Sequence, residues 1–237
     1  VLSRSQRGVL WAHNDSGDRP RLLALTRGGR LLADVTVTGA VNVDWEDIAA
    51  GRRTLLIGDI GDNLAQRATV SVYRLAEPRV GEQTVAAAGR IELRYPDGPR
   101  DAEALLRDPR SGALVIVEKR YSGRPGVYVA ARPTAGTRTT MRRSGRLALG
   151  AGEAVTAGDV SADGRTIALR TYDRAFVWRR RAGESVAAAL RRRPCSARAD
   201  LLAEGQGEAL ALSADGRAFY TVPEGLVPAI RRYAPLG

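Results

Sequence analysis

The sequence predicts an all-β fold, a single-domain β-propeller of five blades, with six blades as the alternative count. Three observations predict it. A short acidic phrase returns four times: Asp44-Trp45-Glu46-Asp47-Ile48-Ala49, Asp101-Ala102-Glu103-Ala104-Leu105-Leu106, Thr156-Ala157-Gly158-Asp159-Val160-Ser161 and Gln206-Gly207-Glu208-Ala209-Leu210-Ala211. Its third positions are 46, 103, 158 and 208, and each phrase is followed by a turn and short runs of β-formers. Such a period, with several strands per unit, marks a propeller. The chain ends are also complementary: the first unit lacks its opening strand and the last stops after its third. A ring closes without a free edge when one end supplies what the other lacks.

Taken in order, the first unit is partial. Val9–His13 reads as its second strand, Arg21–Thr26 as its third and Leu31–Val37 as its fourth. Its own acidic phrase would fall ahead of Val1, so upstream residues are expected to belong to the native fold. Val1–Ser3 is expected to lie innermost in this blade, beside the blade carrying Ile230–Tyr233. In the four complete phrases the acidic run is the inner strand. Second strands follow at Leu55–Asp59, Leu114–Glu118, Thr166–Arg170 and Ala218–Val222, and third strands at Val70–Leu75, Val127–Ala130, Ala175–Trp178 and Ile230–Tyr233. Outer strands are expected at Arg90–Arg94, near Leu147 and near Leu201. The blades span about 1–40, 41–98, 99–150, 151–202 and 203–237 of one domain. Arg132–Gly145 reads as a long loop or irregular outer strand, and Ser185–Arg198 as a helical turn followed by a loop. Trp11, Trp45 and Trp178 read as core or blade-interface residues.

Composition narrows the function. The 237 residues carry a formal net charge of +11, almost all of it arginine, with Lys119 the sole lysine. Arginine and alanine with almost no lysine is the habit of GC-rich coding sequence. The arginines are scattered, and no recognition helix, zinc finger or RNP-like aromatic pair accompanies them, which argues against a nucleic-acid partner. No stretch is apolar enough to cross a bilayer as a helix. The single cysteine, Cys195, makes no internal disulfide, and the chain reads as a monomer, secreted or held at the cell envelope.

Ser161-Ala-Asp-Gly-Arg-Thr-Ile-Ala168 and Ser213-Ala-Asp-Gly-Arg-Ala-Phe-Tyr220 resemble the inner hairpin turn of TolB-like and WD-repeat-like propellers; their Asp-Gly pairs suit the positive φ of a tight turn. The acidic phrase resembles the signature of the SdiA-regulated and phytase-like propellers, with Glu-Ala or Glu-Asp where that signature has Glu-Gly. With His13-Asn-Asp-Ser-Gly17 and Gly58-Asp-Ile-Gly-Asp-Asn63, the whole chain resembles a group of actinobacterial secreted propellers. The resemblance implies a propeller and, through the phytase-like members, hydrolysis of phosphate or carboxylic esters.

Inner strands start, and second strands end, on one rim of a propeller. Carboxylates occur at both places: Asp44, Glu46, Asp47, Asp101, Glu103, Asp159 and Glu208 on inner strands, and Asp15, Asp18, Asp59, Asp62, Glu118 and Glu224 at or beyond second strands. Crowded carboxylates share protons, pair with cations or bind metal. Hard oxygen donors in number suit Ca²⁺, and one His with one Cys does not suit zinc. The candidate ligands are Glu46, Asp47, Asp59, Glu103, Asp159 and Glu208. The competing role for the same residues is structural: capping strand ends, bonding the next blade's backbone and pairing with arginine. His13, Lys119 and Arg170 fall at or beside equivalent second-strand ends and are the candidates to hold an anionic small-molecule ester; equally, the two cations neutralise the acids. No nucleophile or general base stands out, so the catalytic residues stay unassigned. Three readings remain open: a calcium-dependent ester hydrolase, a non-catalytic ligand- or protein-binding scaffold with a structural channel ion, and a polyanion binder.

Overall fold

Runs such as Leu114-Val115-Ile116-Val117 are apolar at every position, and the structure shows why: each sheet is covered on both faces. The computed structural model describes residues 1–201, 204–225 and 228–234. The first sheet holds β1 (Val9–Ala12), β2 (Arg21–Thr26) and β3 (Leu31–Thr38); the second holds β4 (Trp45–Ala50), β5 (Thr54–Asp59), β6 (Val70–Ala76) and β7 (Thr84–Arg94). In the third, β8 (Ala102–Arg107), β9 (Leu114–Glu118) and β10 (Gly126–Ala130) are followed by β11 (Arg138–Thr140), which leaves to pair with β7, and by β12 (Arg142–Arg146) on the outside. The fourth comprises β13 (Val155–Val160), β14 (Thr166–Thr171), β15 (Arg174–Arg179), helix α1 (Val186–Leu190) and β16 (Cys195–Asp200). The fifth is β17 (Gly207–Leu212), β18 (Phe219–Pro223) and β19 (Arg231–Tyr233). A short parallel pairing of β3 with β7 joins the first two sheets along their outer edges.

The cores lie between sheets, and alternation assigns each strand's side chains to two of them. Ile116 packs with Ile91, Leu93 and Tyr128 between the second and third sheets. Val115 and Val117 pack with Leu169, Phe176 and Trp178 between the third and fourth. Trp11 and Trp45 share the core between the first and second. Leu210 and Leu212 meet Ala157, Ala168 and Leu201 between the fourth and fifth. The circle closes where Leu2 and Leu10 of the first sheet pack on Ala211 and Tyr220 of the fifth. The chain is therefore a five-bladed β-propeller. Val1–Ser3 lies inside β1: Leu2 bridges Leu10, Trp11 N donates to Val1 O at 2.9 Å and Ser3 N to Val9 O at 2.9 Å.

Two expectations need correction. The outer strand expected near Leu201 is β16, and it begins at Cys195, within the segment read as a loop; that segment is poor in β-formers, and its backbone is ordered by pairing with β15, Ala175 opposite Ala199. The third acidic phrase is also out of register by two. The inner hairpins shift register between Trp45 and Asp47, Ala102 and Ala104, Val155 and Ala157, and Gly207 and Ala209. The equivalent of Glu46, Glu103 and Glu208 is Thr156, not Gly158. Leu201, expected near an outer strand, is buried just past β16; residues 202 and 203 lie outside the described residues.

Candidate metal centre

A β-bulge inserts one unpaired residue and bends its strand. Here the bulge recurs at one place in four inner strands, occupied by Glu46, Glu103, Thr156 and Glu208. The repeated acidic phrase is thus a repeated bulge at the mouth of the axis. Thr156 turns its hydroxyl to Gly207 O at 2.9 Å. The three glutamates place carboxyl groups there instead.

Asp15, Asp44 and Glu46 come closest together. Each offers a carboxylate oxygen, and these oxygens all lie within 4.8 Å of one another. Asp15 is on the exposed loop after β1; Asp44 and Glu46 lead and bulge β4. Asn42 holds the two blades in place, its amide donating to Asp15 O at 2.9 Å while its own oxygen accepts from Trp45 N at 3.1 Å. Asp59, opposite Trp45, accepts from Asp44 N at 3.0 Å. Gly61 supplies the room, since a Cβ there would collide with Glu46 Oε1 and Asp44 Oδ2. Burial, then the charges of Asp15 and Asp101, push Asp44 up to about 6. Burial, then Glu103, Asp15, Asp44 and Asp101, push Glu46 up to about 11. A site that disfavours its own ionisation this strongly favours an added cation.

The opposite side of the mouth is internally paired. Lys119 Nζ rests on Glu103 Oε1 and lies 5.4 Å from the Tyr172 ring centroid; Tyr172 O–H donates to Glu208 at 3.3 Å. Burial outweighs Lys119 and raises Glu103 to about 8. Glu103 is buried, and its Oε2 has no hydrogen-bond partner. Burial and then Glu224 raise Glu208 to about 7. Tyr172 sits at the centre of this arrangement and went unread in the sequence; its place just past a second strand was the available signal.

The remaining predicted residues sit elsewhere. Asp47 and Asp159 hold the blades at the axis. Asp47 accepts from Ile48 N at 2.8 Å, Leu105 N at 2.9 Å and Gly158 N at 3.3 Å; Asp159 accepts from Val160 N at 2.7 Å and Leu212 N at 2.9 Å, with Arg4 3.7 Å away. Asp59 is buried against Arg67 at 3.0 Å. His13 packs edge-on to Trp45 with Nδ1 2.9 Å from Asn14 O, and burial lowers its pKa.

Arg170 is 0% exposed, so it does not face a solute at the rim. It spans the fourth and fifth blades, NH1 donating to Glu204 at 3.2 Å and Ala209 O at 3.1 Å, while Glu204 accepts from Thr221 at 2.6 Å and Tyr233 at 2.7 Å. Breaking a buried pair by removing one partner costs about 3–5 kcal/mol. Arg170→Leu is therefore expected to lower unfolding free energy by about that much in urea titrations; a loss below about 1 kcal/mol would show that this clasp does not hold the ring shut.

Fold and site together define the class: a five-bladed β-propeller with glutamates at the bulges of three of its inner strands. No protein-family model matches the chain, and no curated protein matches it in sequence. Among solved structures it is similar to a candidate 6-phosphogluconolactonase from Bacteroides uniformis, with TM-score 0.46 and 18% identity over 96% of this chain and 64% of that one. It is also similar to Kuenenia stuttgartiensis hydrazine synthase, with TM-score 0.43 and 13% identity over 93% of this chain and 53% of that one. The chain thus spans less than two thirds of either structure's length.

Proposed function

We propose that this protein is a calcium-binding β-propeller that holds a small anionic ester at its axial mouth and hydrolyses it. The convergence of Asp15, Asp44 and Glu46 from two blades carries the reading. The donors are all hard oxygens, and no described residue donates a hydrogen bond to Glu46, which fits Ca²⁺ and leaves coordination for substrate oxygens. The ion, when bound, supplies Lewis acidity toward a phosphoryl or carbonyl oxygen. Across the mouth, the Tyr172 hydroxyl and the Lys119 ammonium keep protons beside Glu208 and Glu103. Resemblance to phytase-like propellers supports the ester.

One observation favours a second reading. Lys119 is paired with Glu103, Arg170 is sealed, and burial holds His13 toward its neutral form, so none of the three stands as an unpaired cation to grip an anion. On that reading the ion only ties the first blade to the second, and the protein is a scaffold. Calcium titration followed by thermal unfolding, with an ester and phosphate-ester screen in calcium and in EDTA, separates them. The hydrolase reading expects a calcium-dependent rise in melting temperature and calcium-dependent turnover; stabilisation without turnover supports the scaffold. No stabilisation at millimolar calcium refutes both.

A further inference from the structure

We infer that the mouth face is a docking surface for a polypeptide segment that presents a basic side chain between apolar ones. Four of the large apolar side chains left in solvent, Val41, Val43, Leu64 and Tyr121, lie on that face; Leu31, at the start of β3, and Val80, in the turn between β6 and β7, lie on the opposite one. The topology places them: Val41 and Val43 precede β4, Leu64 follows β5 and Tyr121 follows β9. The same loops carry the acids. Val43 adjoins Asp44, and Asp62, two residues before Leu64, donates its N–H to Asp101 Oδ1 at 3.0 Å.

Leu64 carries the argument furthest. It is 76% exposed, yet its loop is built, not slack. The Asp62 carboxylate accepts from Gln66 N at 2.9 Å and Arg67 N at 2.8 Å, Ala65 N donates to Asp62 O at 2.7 Å, and Arg67 bonds Gly61 O at 2.7 Å. Ala65 is held at φ 51°, a left-handed conformation costly for alanine. A strained, hydrogen-bonded loop that holds a leucine in water beside a charged opening is a contact waiting for a partner.

Charge identifies that partner. The protein is strongly basic, but here Asp15, Asp44, Glu46, Asp101 and Glu103 gather, and the nearby cations, Lys119 and Arg67, are already paired with Glu103 and Asp59. The buried, unpartnered Glu103 Oε2 marks an acceptor still unmet. The proposed ion and a polypeptide compete for the same acids, and the ion alone would satisfy them but leave the apolar loops in water. A polypeptide with a basic side chain flanked by leucines satisfies both.

The test uses a fluorescent, end-blocked Gly-Leu-Arg-Leu-Gly peptide and the same peptide with glutamine for arginine, titrated in EDTA so that the cation reading plays no part. The arginine peptide is expected to bind with Kd below about 1 mM and the glutamine peptide about tenfold more weakly. Leu64→Ser, at an exposed position that does not threaten folding, should weaken binding several-fold, and Leu31→Ser on the other face should leave it unchanged. Equal binding of the two peptides, no binding in EDTA, full affinity in Leu64→Ser, or an equal loss in Leu31→Ser each overturns the inference.

Discussion

Glu46→Gln is expected to raise the melting temperature in EDTA at pH 8.5 and to abolish the response to calcium. The reason lies in the proton that Glu46 keeps. Folded, its carboxyl titrates near 11, against an ordinary value of 4.5 in the unfolded chain. Between those limits the folded state holds a proton that the unfolded state has lost, so stability falls as pH rises, by roughly 1.4 kcal/mol per pH unit for one such group. Asp47, Glu103, Glu208 and Asp44 are raised too and act in the same direction over narrower ranges. Metal-free protein should therefore be most stable near pH 5 and lose stability toward pH 9. Glutamine mimics the protonated acid and removes the largest single share of that slope. In a chain of this size about 1 kcal/mol moves the midpoint by roughly 2–4 °C, so a gain of several degrees is expected. Calcium works the other way on the parent, because it binds ionised ligands and must displace the proton, so its affinity should climb with pH. At about 100 times its dissociation constant it adds roughly 2.7 kcal/mol. Differential scanning fluorimetry from pH 5 to 9, in EDTA and in calcium, reads both effects. A flat EDTA profile, or a glutamine variant that gains as much from calcium as the parent, would falsify the site.

Much of this was legible because the repeat is physical. Glu46, Glu103 and Glu208 recur because the inner hairpin bulges at one place in each blade, and the phrase marks that bulge. In the fourth blade threonine stands at the bulge, so Asp159, three positions on, was mistaken for part of the acidic signal. A bulge also breaks strict alternation, and one residue decides which way a side chain points. That is why sequence reasoning could gather Asp15, Asp44, Glu46 and Asp47 on one rim without seeing that the first three converge and the fourth turns to other blades. Arg170 was misplaced for another reason. Its partner Glu204 is 34 residues away and on the next blade, and no local pattern announces a buried pair at that separation. An outer strand near Leu201 was legible, but its start at Cys195 was hidden in a sequence with little β propensity, its conformation imposed by a neighbour.

Asp47 separates the two roles that the sequence left open, and its loss should be the larger structural blow. Its Oδ2 is shared by the backbone amides of Leu105 and Gly158, one in each of the next two blades, and its Oδ1 by Ile48. Burial lifts the carboxyl to about 8 against those amides, so it is an acceptor held in an environment that does not welcome its charge. Asp47→Ala removes the acceptor and leaves at least two buried amides unpaired at the axis. Each unsatisfied group costs about 1–3 kcal/mol, so the variant should lose roughly 2–6 kcal/mol. Asp47→Asn keeps one acceptor oxygen but turns an amide donor toward N–H groups, and should fall between alanine and the parent. The decisive feature is that the loss be the same in EDTA and in calcium, because the side chain binds blades and not the ion. Were Asp47→Ala to unfold like the parent in EDTA and fail only to gain from calcium, Asp47 would be a metal ligand, and the inner strands would be held at the axis by packing alone.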